Sequence, residues 1–270
     1  MTDAPINMPD EMRDPTAVEQ GTAVPWFAVF KRELGLYFRS PIAYGVAFAI
    51  LLFLGVLFSS YISTSNGQGP ADSTYAPGLL TFLMFLVAPL LTMRLIAEEA
   101  REGTLEVLMT LPMNESQFII GKFLASWAYF TVLLLITLVY HLILLSIGTP
   151  DLGRAFGAYF GAWLYGGAVL AVTMIWSAIT EDQIVAAFLG AATVLVLYLA
   201  EIAAALVGGQ QTSASSGLAD FIRQLGLQAH YDATMSQGII RAEDILYFVF
   251  LIIGALFITV RIVETRRWRS

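Results

Sequence analysis

"EEAREGTLEVLMTLP", residues 98–112, separates two apolar runs and places five charged side chains within nine positions. A Glu or Arg side chain at the centre of a bilayer costs about 2.5–3.5 kcal/mol on insertion scales, so this segment cannot lie in hydrocarbon. The sequence on either side of it is apolar enough to do so. The segment therefore marks a point at which a membrane-embedded chain leaves the bilayer.

The composition of the whole chain is that of a polytopic membrane protein. Of its 270 residues, 57% are hydrophobic and 13% are charged, against about 25% charged residues in soluble proteins. Disulfides and thiolate chemistry are excluded because the sequence contains no cysteine. We predict an all-α membrane domain over residues 24–270 with six transmembrane helices, each long enough for about 30 Å of hydrocarbon: 41–62, 78–97, 120–147, 156–179, 184–207 and 245–263.

Two segments precede the first span. Residues 1–23 are polar and acidic and lack the basic and apolar regions of a signal peptide, so we expect a disordered tail. Residues 24–40 carry an aromatic face at helical spacing beside a cluster of basic residues, which favours an N-terminal interfacial helix. The alternative is that these residues only form the basic flank of the first span.

The longest connection, residues 208–243, contains an apolar stripe at positions i, i+3, i+4 and i+7. This pattern predicts a short helix on the outer surface of the bundle, with a disordered loop as the alternative. The stripe consists of Leu218, Phe221, Ile222 and Leu225.

Lys and Arg residues predict the orientation of the spans. With both termini in the cytoplasm, eleven of the fourteen basic residues lie on the inner side and only Arg154, Arg223 and Arg241 lie outside. Cytoplasmic loops carry such an excess, so we expect a multi-pass protein of the bacterial inner membrane with both termini in the cytoplasm. Residues 98–119 are then cytoplasmic.

The charged segment also has an apolar face. Leu105, Leu108, Met109 and Pro112 recur at helical spacing and predict a short coupling helix after Gly103 and Thr104, with Thr104 as its cap. Asn114 and Gln117 predict a capping box for the following helix. Leu and Met would face water unless the short helix lies on the membrane surface or a cytosolic partner covers it.

Residues 92–126, "TMRLIAEEAREGTLEVLMTLPMNESQFIIGKFLAS", resemble the coupling-helix segment of ABC-2-type transporter permeases. The chain most resembles the gliding-motility-associated ABC permeases, which it also matches at 31–44, 180–190 and 230–269. The resemblance implies that a cytosolic ATPase subunit holds this segment, with charge complementarity from the acids. It implies contacts from Glu98, Glu99, Gly103, Thr104, Leu105, Glu106, Leu108, Met109 and Pro112.

The resemblance also implies the assembly. Such a permease is expected to dimerise, as a homodimer or with a second permease chain, to join two ATPase subunits and to work as an exporter. A large auxiliary membrane-anchored protein is a further implied partner. Two alternatives remain open: a mechanotransmission subunit that drives a periplasmic partner without moving a substrate, and a passive channel, in which residues 98–112 would have no role.

No enzyme motif is present in the sequence. Around Gly121 and Lys122, Ser116 stands where a phosphate loop needs its first glycine, and Phe123 stands where it needs Ser or Thr. We therefore expect no cofactor or metal on this chain and no nucleic-acid partner, with ATP and Mg²⁺ used by the partner ATPase.

His141 and Glu201 are the candidate intramembrane polar site. At about 1.5 Å per residue, each lies most of the way across an outward-running span, which places both near the outer interface. Intramembrane ionisable groups often pair and carry function. The alternative, which we favour, is that both groups are interfacial and have only a structural role.

Overall fold

A computed structural model describes residues 25–65, 72–104, 114–208 and 213–267. These residues form helices and connecting turns and contain no strand. The helices are α1 (Pro25–Tyr37), α2 (Pro41–Ser65), α3 (Tyr75–Thr92), α4 (Ala97–Arg101), α5 (Glu115–Ile147), α6 (Leu152–Ile179), α7 (Gln183–Gly208), α8 (Ser213–Leu225), α9 (Leu227–Tyr231) and α10 (Ala242–Arg267), with a 3-10 turn at Met235–Gln237.

Six helical segments have the length and apolarity of membrane spans: α2, α3 continued through α4, α5, α6, α7 and α10. The predicted fold class is therefore confirmed. Most span boundaries lie within a few residues of those predicted, and the segment predicted as an interfacial helix forms α1. Its location at the membrane interface stays a prediction. The predicted tail, residues 1–23, lies outside the described residues.

Helix α6 is the centre of the bundle. In an 18-residue window 78% of α6 is buried, against 22% for α2, α7 and α10. Small residues on α6 allow the neighbouring helices to pack this closely around it. For example, a Cβ added at Gly166 would lie only 2.1 Å from Cε1 of Phe130 on α5. Side chains on neighbouring helices therefore reach the α6 backbone directly, which is how small residues serve helix packing in membranes.

The second span ends differently from its prediction. Helix α3 stops at Thr92 rather than at residue 97, and α4 begins after a four-residue break. The hydroxyl of Ser177 on α6 supports the break: it accepts hydrogen bonds from the N–H groups of Ile96, at 3.1 Å, and Ala97, at 3.2 Å. It also donates to the carbonyl oxygen of Met93, at 3.1 Å. Backbone groups that the break would leave unpaired are thereby satisfied.

The short helix predicted in the longest connection is present as α8 and packs against α7, while its location on the outer side stays a prediction. Its buried contact is Ala219, which is 5% exposed. Three residues of the predicted stripe, Leu218, Phe221 and Leu225, are 52%, 59% and 48% exposed. The apolar stripe that predicts the helix is therefore largely not the face that packs on the bundle.

Candidate coupling site at the end of the second span

A close contact between α1 and α5 builds one side of the site. A Cβ added at Gly121 on α5 would lie 2.7 Å from the carbonyl oxygen of Trp26 and 2.8 Å from Cβ of Val29. Only glycine permits this approach, since real Cβ atoms do not come so near to other heavy atoms. The contact sets α1 against the first turns of α5, where Lys122 is the next residue.

Four charged side chains from three segments meet beside this contact. We call Arg32, Glu33, Glu99 and Lys122 the junction cluster. The Lys122 ammonium lies 2.9 Å from Oε1 of Glu99 and 3.1 Å from Oε1 of Glu33. The Arg32 guanidinium contacts the same two oxygens, at 2.9 and 2.6 Å. Two cations and two carboxylates thus join α1, α4 and α5.

Burial makes the junction cluster sensitive to the loss of any member. The Lys122 side chain is 2% exposed and that of Glu33 is 7% exposed. A buried charge is tolerated only with partners, and removal of one partner leaves an uncompensated charge. The Phe118 ring, whose centroid lies 4.9 Å from Nζ of Lys122, adds a cation–π contact.

Two groups at this site, Arg32 of the junction cluster and the nearby Tyr37, have raised pKa values. Burial lowers the pKa of Arg32, but hydrogen bonds and charges from Glu33 and Glu99 outweigh burial and raise that pKa above its ordinary value. Burial, followed by the Glu33 charge, raises the pKa of Tyr37. The Tyr37 hydroxyl therefore stays protonated and donates to the carbonyl oxygen of Leu91 at 2.6 Å. This bond ties α1 to the end of α3.

The structure places four of the predicted ATPase-coupling residues. Glu98 forms an ion pair with Arg94 at 2.9 Å, and Glu99 belongs to the junction cluster. Gly103 has a φ of 70°, a left-handed conformation that favours glycine. The Thr104 hydroxyl donates back to the carbonyl oxygen of Glu99 at 3.3 Å. The other predicted residues lie outside the described residues: Leu105, Glu106, Leu108, Met109 and Pro112.

These contacts change the interpretation of Glu98 and Glu99. Both carboxylates have cationic partners within the chain, at 2.9 Å. Neither is a free negative charge awaiting a partner protein. Glu99 instead links the start of the predicted coupling segment to α1 and α5.

The predicted capping box before α5 is wrong. Helix α5 begins at Glu115 with Asn114 at the N-cap position, but the Asn114 side chain makes no capping hydrogen bond. The Asn114 backbone carbonyl accepts from the N–H groups of Gln117, at 3.0 Å, and Phe118, at 3.2 Å. The start of α5 is fixed instead by its packing on α1 and by Lys122.

The two candidate intramembrane residues have different surroundings. His141 on α5 is 9% exposed, and its Nδ1 is buried without a hydrogen-bond partner among the described residues. Glu201 on α7 is exposed, with its backbone N–H near Gly226. No hydrogen bond or ion pair within the described part of the chain joins the two side chains. A shared role for them stays a prediction.

Sequence reasoning missed Arg32, Glu33 and Lys122 as site residues. It used the charges of Arg32 and Glu33 only for topology or as the flank of a span, and it considered Lys122 only for topology and for a phosphate loop. One signal was available: Lys122 stands in "FIIGKFLAS", residues 118–126, where it is the only charged side chain. A lone cation in an apolar helix needs a carboxylate partner.

Comparison with known proteins places the chain among transport proteins. Residues 27–263 match the family model described as ABC-2 family transporter protein. A probable ABC transporter permease protein NosY of Pseudomonas aeruginosa is 30% identical over 152 residues, which is 53% of this chain and 55% of that protein. The protein of the same name from Stutzerimonas stutzeri is 29% identical over 153 residues, 54% of this chain and 53% of that protein.

The chain thus spans about half the length of the curated relatives it matches. The family match extends over α1 and the six spans. The narrower resemblance to the gliding-motility-associated permeases stays a prediction.

Proposed function

The chain belongs to the ABC-2 transporter family, and we propose that it is the membrane-spanning permease subunit of an ATP-driven transporter. The junction cluster is the observation that carries the proposal. It fixes the start of the predicted coupling segment, at Glu99, to two other elements through Lys122 and Arg32. A force applied to residues 98–112 therefore reaches α1 and α5 through charged contacts of 3.1 Å or less.

The proposed cycle starts at a separate ATPase subunit. That subunit binds ATP and Mg²⁺, holds the coupling segment through Leu105, Leu108 and Met109, and moves it when two ATPases close. Glu99 pulls on Lys122 and α5, while Arg32 and Glu33 carry the motion into α1. Because Tyr37 bonds to the carbonyl oxygen of Leu91, α1 in turn moves the end of α3.

The rest of the proposal concerns assembly and direction. We propose an exporter in the bacterial inner membrane with both termini in the cytoplasm, built from two permease chains and two ATPases. Exposed apolar residues on α2 and α7, among them Phe48 at 68% and Phe188 at 73%, support a surface that meets lipid or a second copy. The auxiliary membrane-anchored partner belongs to the proposal as well.

One observation favours the alternative of mechanotransmission. The exposed stripe of α8, with Phe221 59% exposed, presents an apolar surface at the end of the bundle opposite the junction cluster. A periplasmic partner bound there would receive motion without any substrate crossing. ATP-dependent accumulation of a substrate in vesicles that lack such a partner would argue against this alternative.

Co-purification with candidate ATPases tests the proposed function. The chain is expressed with each ATPase, with and without Leu105→Asp combined with Leu108→Asp. We expect the native chain to retain one ATPase and the double variant to lose it, because two carboxylates oppose docking of an apolar face. Thr265→Asp is the control, since Thr265 is exposed near the end of α10. Failure of every ATPase to bind, or equal binding by the double variant, contradicts the proposal.

A further inference from the structure

A cavity of about 850 Å³ lies beside the junction cluster, between α1, the start of α2, the end of α3 and α4. This volume is within the range of about 300–1,000 Å³ that ligand sites in proteins occupy. One wall is aliphatic, with Val46 and Leu90, and with Leu36 and Ile42 that are 54% and 52% exposed. The other wall is charged. The cavity is therefore amphipathic and lies where a span meets the membrane interface.

The charges of the lining cancel in number but are not all paired. Four basic and four acidic side chains line the cavity. The junction cluster accounts for two of each, and Arg94 pairs with Glu98 at 2.9 Å. Arg39 and Glu102 make no ion pair with any described residue, and Oε2 of Glu99 is buried without a hydrogen-bond partner among them. The lining thus offers a guanidinium for an anion and carboxylate oxygens for a cation.

We propose that this cavity binds a membrane phospholipid whose headgroup carries both a phosphate and a primary ammonium, as in phosphatidylethanolamine. The phosphate contacts Arg39, because a guanidinium binds phosphate oxygens through two parallel hydrogen bonds. The ammonium donates to the exposed carboxylate of Glu102, since its N–H donors suit carboxylate oxygens. The first part of the acyl chains packs on Leu36 and Ile42, and the remainder stays in the bilayer.

The same chemistry disfavours the other common headgroups. A choline group has no N–H donor, and its recognition depends on several aromatic faces. Tyr37 is the single aromatic residue among those that line this cavity, and its hydroxyl already bonds to Leu91. A headgroup with net negative charge would satisfy Arg39 but leave its charge beside Glu99 and Glu102. The inference is independent of the proposed ATPase contact.

Native mass spectrometry of the purified full chain in detergent tests the lipid proposal. The protein is mixed with phosphatidylethanolamine, phosphatidylcholine or phosphatidylglycerol of identical acyl chains, and in a further arm with O-phosphoethanolamine alone. We expect one equivalent of phosphatidylethanolamine to be retained about ten-fold more tightly than the other lipids, as one charged hydrogen bond supports. Equal retention of the three lipids overturns the proposal. Binding of O-phosphoethanolamine as tight as that of the lipid overturns the membrane source.

Two variants assign the contacts, and one variant is the control. Arg39→Gln should weaken retention of phosphatidylethanolamine about ten-fold. Glu102→Gln should reduce its preference over phosphatidylglycerol. Both residues are exposed, so the fold is expected to persist, and unchanged thermal unfolding checks this. Lys31→Gln is the control, because Lys31 is an exposed basic residue of α1 outside the cavity lining. Retention by Arg39→Gln equal to that of Lys31→Gln overturns the proposal.

Discussion

Replacing Lys122 by methionine removes the cation between Glu33 and Glu99 and keeps a side chain of similar length. Removal of one partner from a buried ion pair costs about 3–5 kcal/mol. Arg32 still contacts both carboxylates, at 2.6 and 2.9 Å, so we expect the lower end of this range. A loss of about 3 kcal/mol corresponds to a melting temperature lower by roughly 6–12 °C for a chain of this size.

Thermal unfolding of the purified protein, followed by tryptophan fluorescence, measures this loss. Lys31→Met is the matched control, because Lys31 is a lysine of α1 that is exposed and outside the junction cluster. The control should unfold within about 1–2 °C of the native chain, since surface substitutions are usually within ±0.5 kcal/mol. Equal melting temperatures for Lys122→Met and Lys31→Met would refute the reasoning that the junction cluster is a buried unit.

A further variant separates stability from force transmission. Lys122→Met combined with Glu33→Met and Glu99→Met replaces the three most buried charges of the junction cluster by apolar side chains of similar size. Such a replacement is often nearly neutral for stability. We expect this variant to recover most of the lost melting temperature. ATP-driven transport with the partner ATPase should stay impaired, because the charged link from Glu99 is gone. Full transport by the triple variant would show that the junction cluster has only a structural role.

Three other positions give predictions of the same kind. Ser177→Ala should lower the free energy of unfolding by about 1–3 kcal/mol, because the N–H groups of Ile96 and Ala97 lose their acceptor. In a thermal scan the control Ser146→Ala, which removes an exposed hydroxyl, should leave the melting temperature unchanged. Equal effects of the two variants would contradict the role of Ser177. Gly121→Val should lower the free energy of unfolding by about 1–3 kcal/mol or more, because the new side chain forces α1 away from α5. Gly45→Ala is its control, since a Cβ at Gly45 has open space. A Gly121→Val variant of native stability would count against the close contact. Gly103→Val should weaken ATPase binding in co-purification more than Gly103→Asn does, since Asn adopts the left-handed conformation more readily than Val. Weaker binding by Gly103→Asn than by Gly103→Val would be inconsistent with the observed turn.

The six spans could be predicted because the bilayer imposes a length and a composition on each of them. The end of the second span could not. The apolar run before residue 97 suggests a helix that continues, and the break at residues 93–96 depends on a hydroxyl about 80 positions away, at Ser177. A local pattern carries no information about such a distant acceptor.

The candidate site could be predicted only in part, again because its contacts join residues that are far apart in the sequence. Glu98, Glu99, Gly103 and Thr104 were selected by resemblance, and the structure describes the surroundings or backbone conformation of all four. Lys122 and Glu33 are 89 positions apart in the sequence, and each alone has the appearance of a charge at the end of a span. Their pairing follows from the contact of α1 with α5 at Gly121, which depends on tertiary packing.

The burial of Lys122 bears on how the protein is inserted during synthesis. Orientation is decided while segments enter the membrane, when only the local excess of Lys and Arg acts. In the proposed orientation, Lys122 is at that stage an uncompensated positive charge that favours a cytoplasmic location for its end of the span. After folding, the same charge is cancelled by Glu33 and Glu99. If the proposed orientation holds, one side chain acts first as a topogenic signal and later as part of a buried, charge-balanced cluster, and we expect its loss to affect membrane insertion as well as the folded protein.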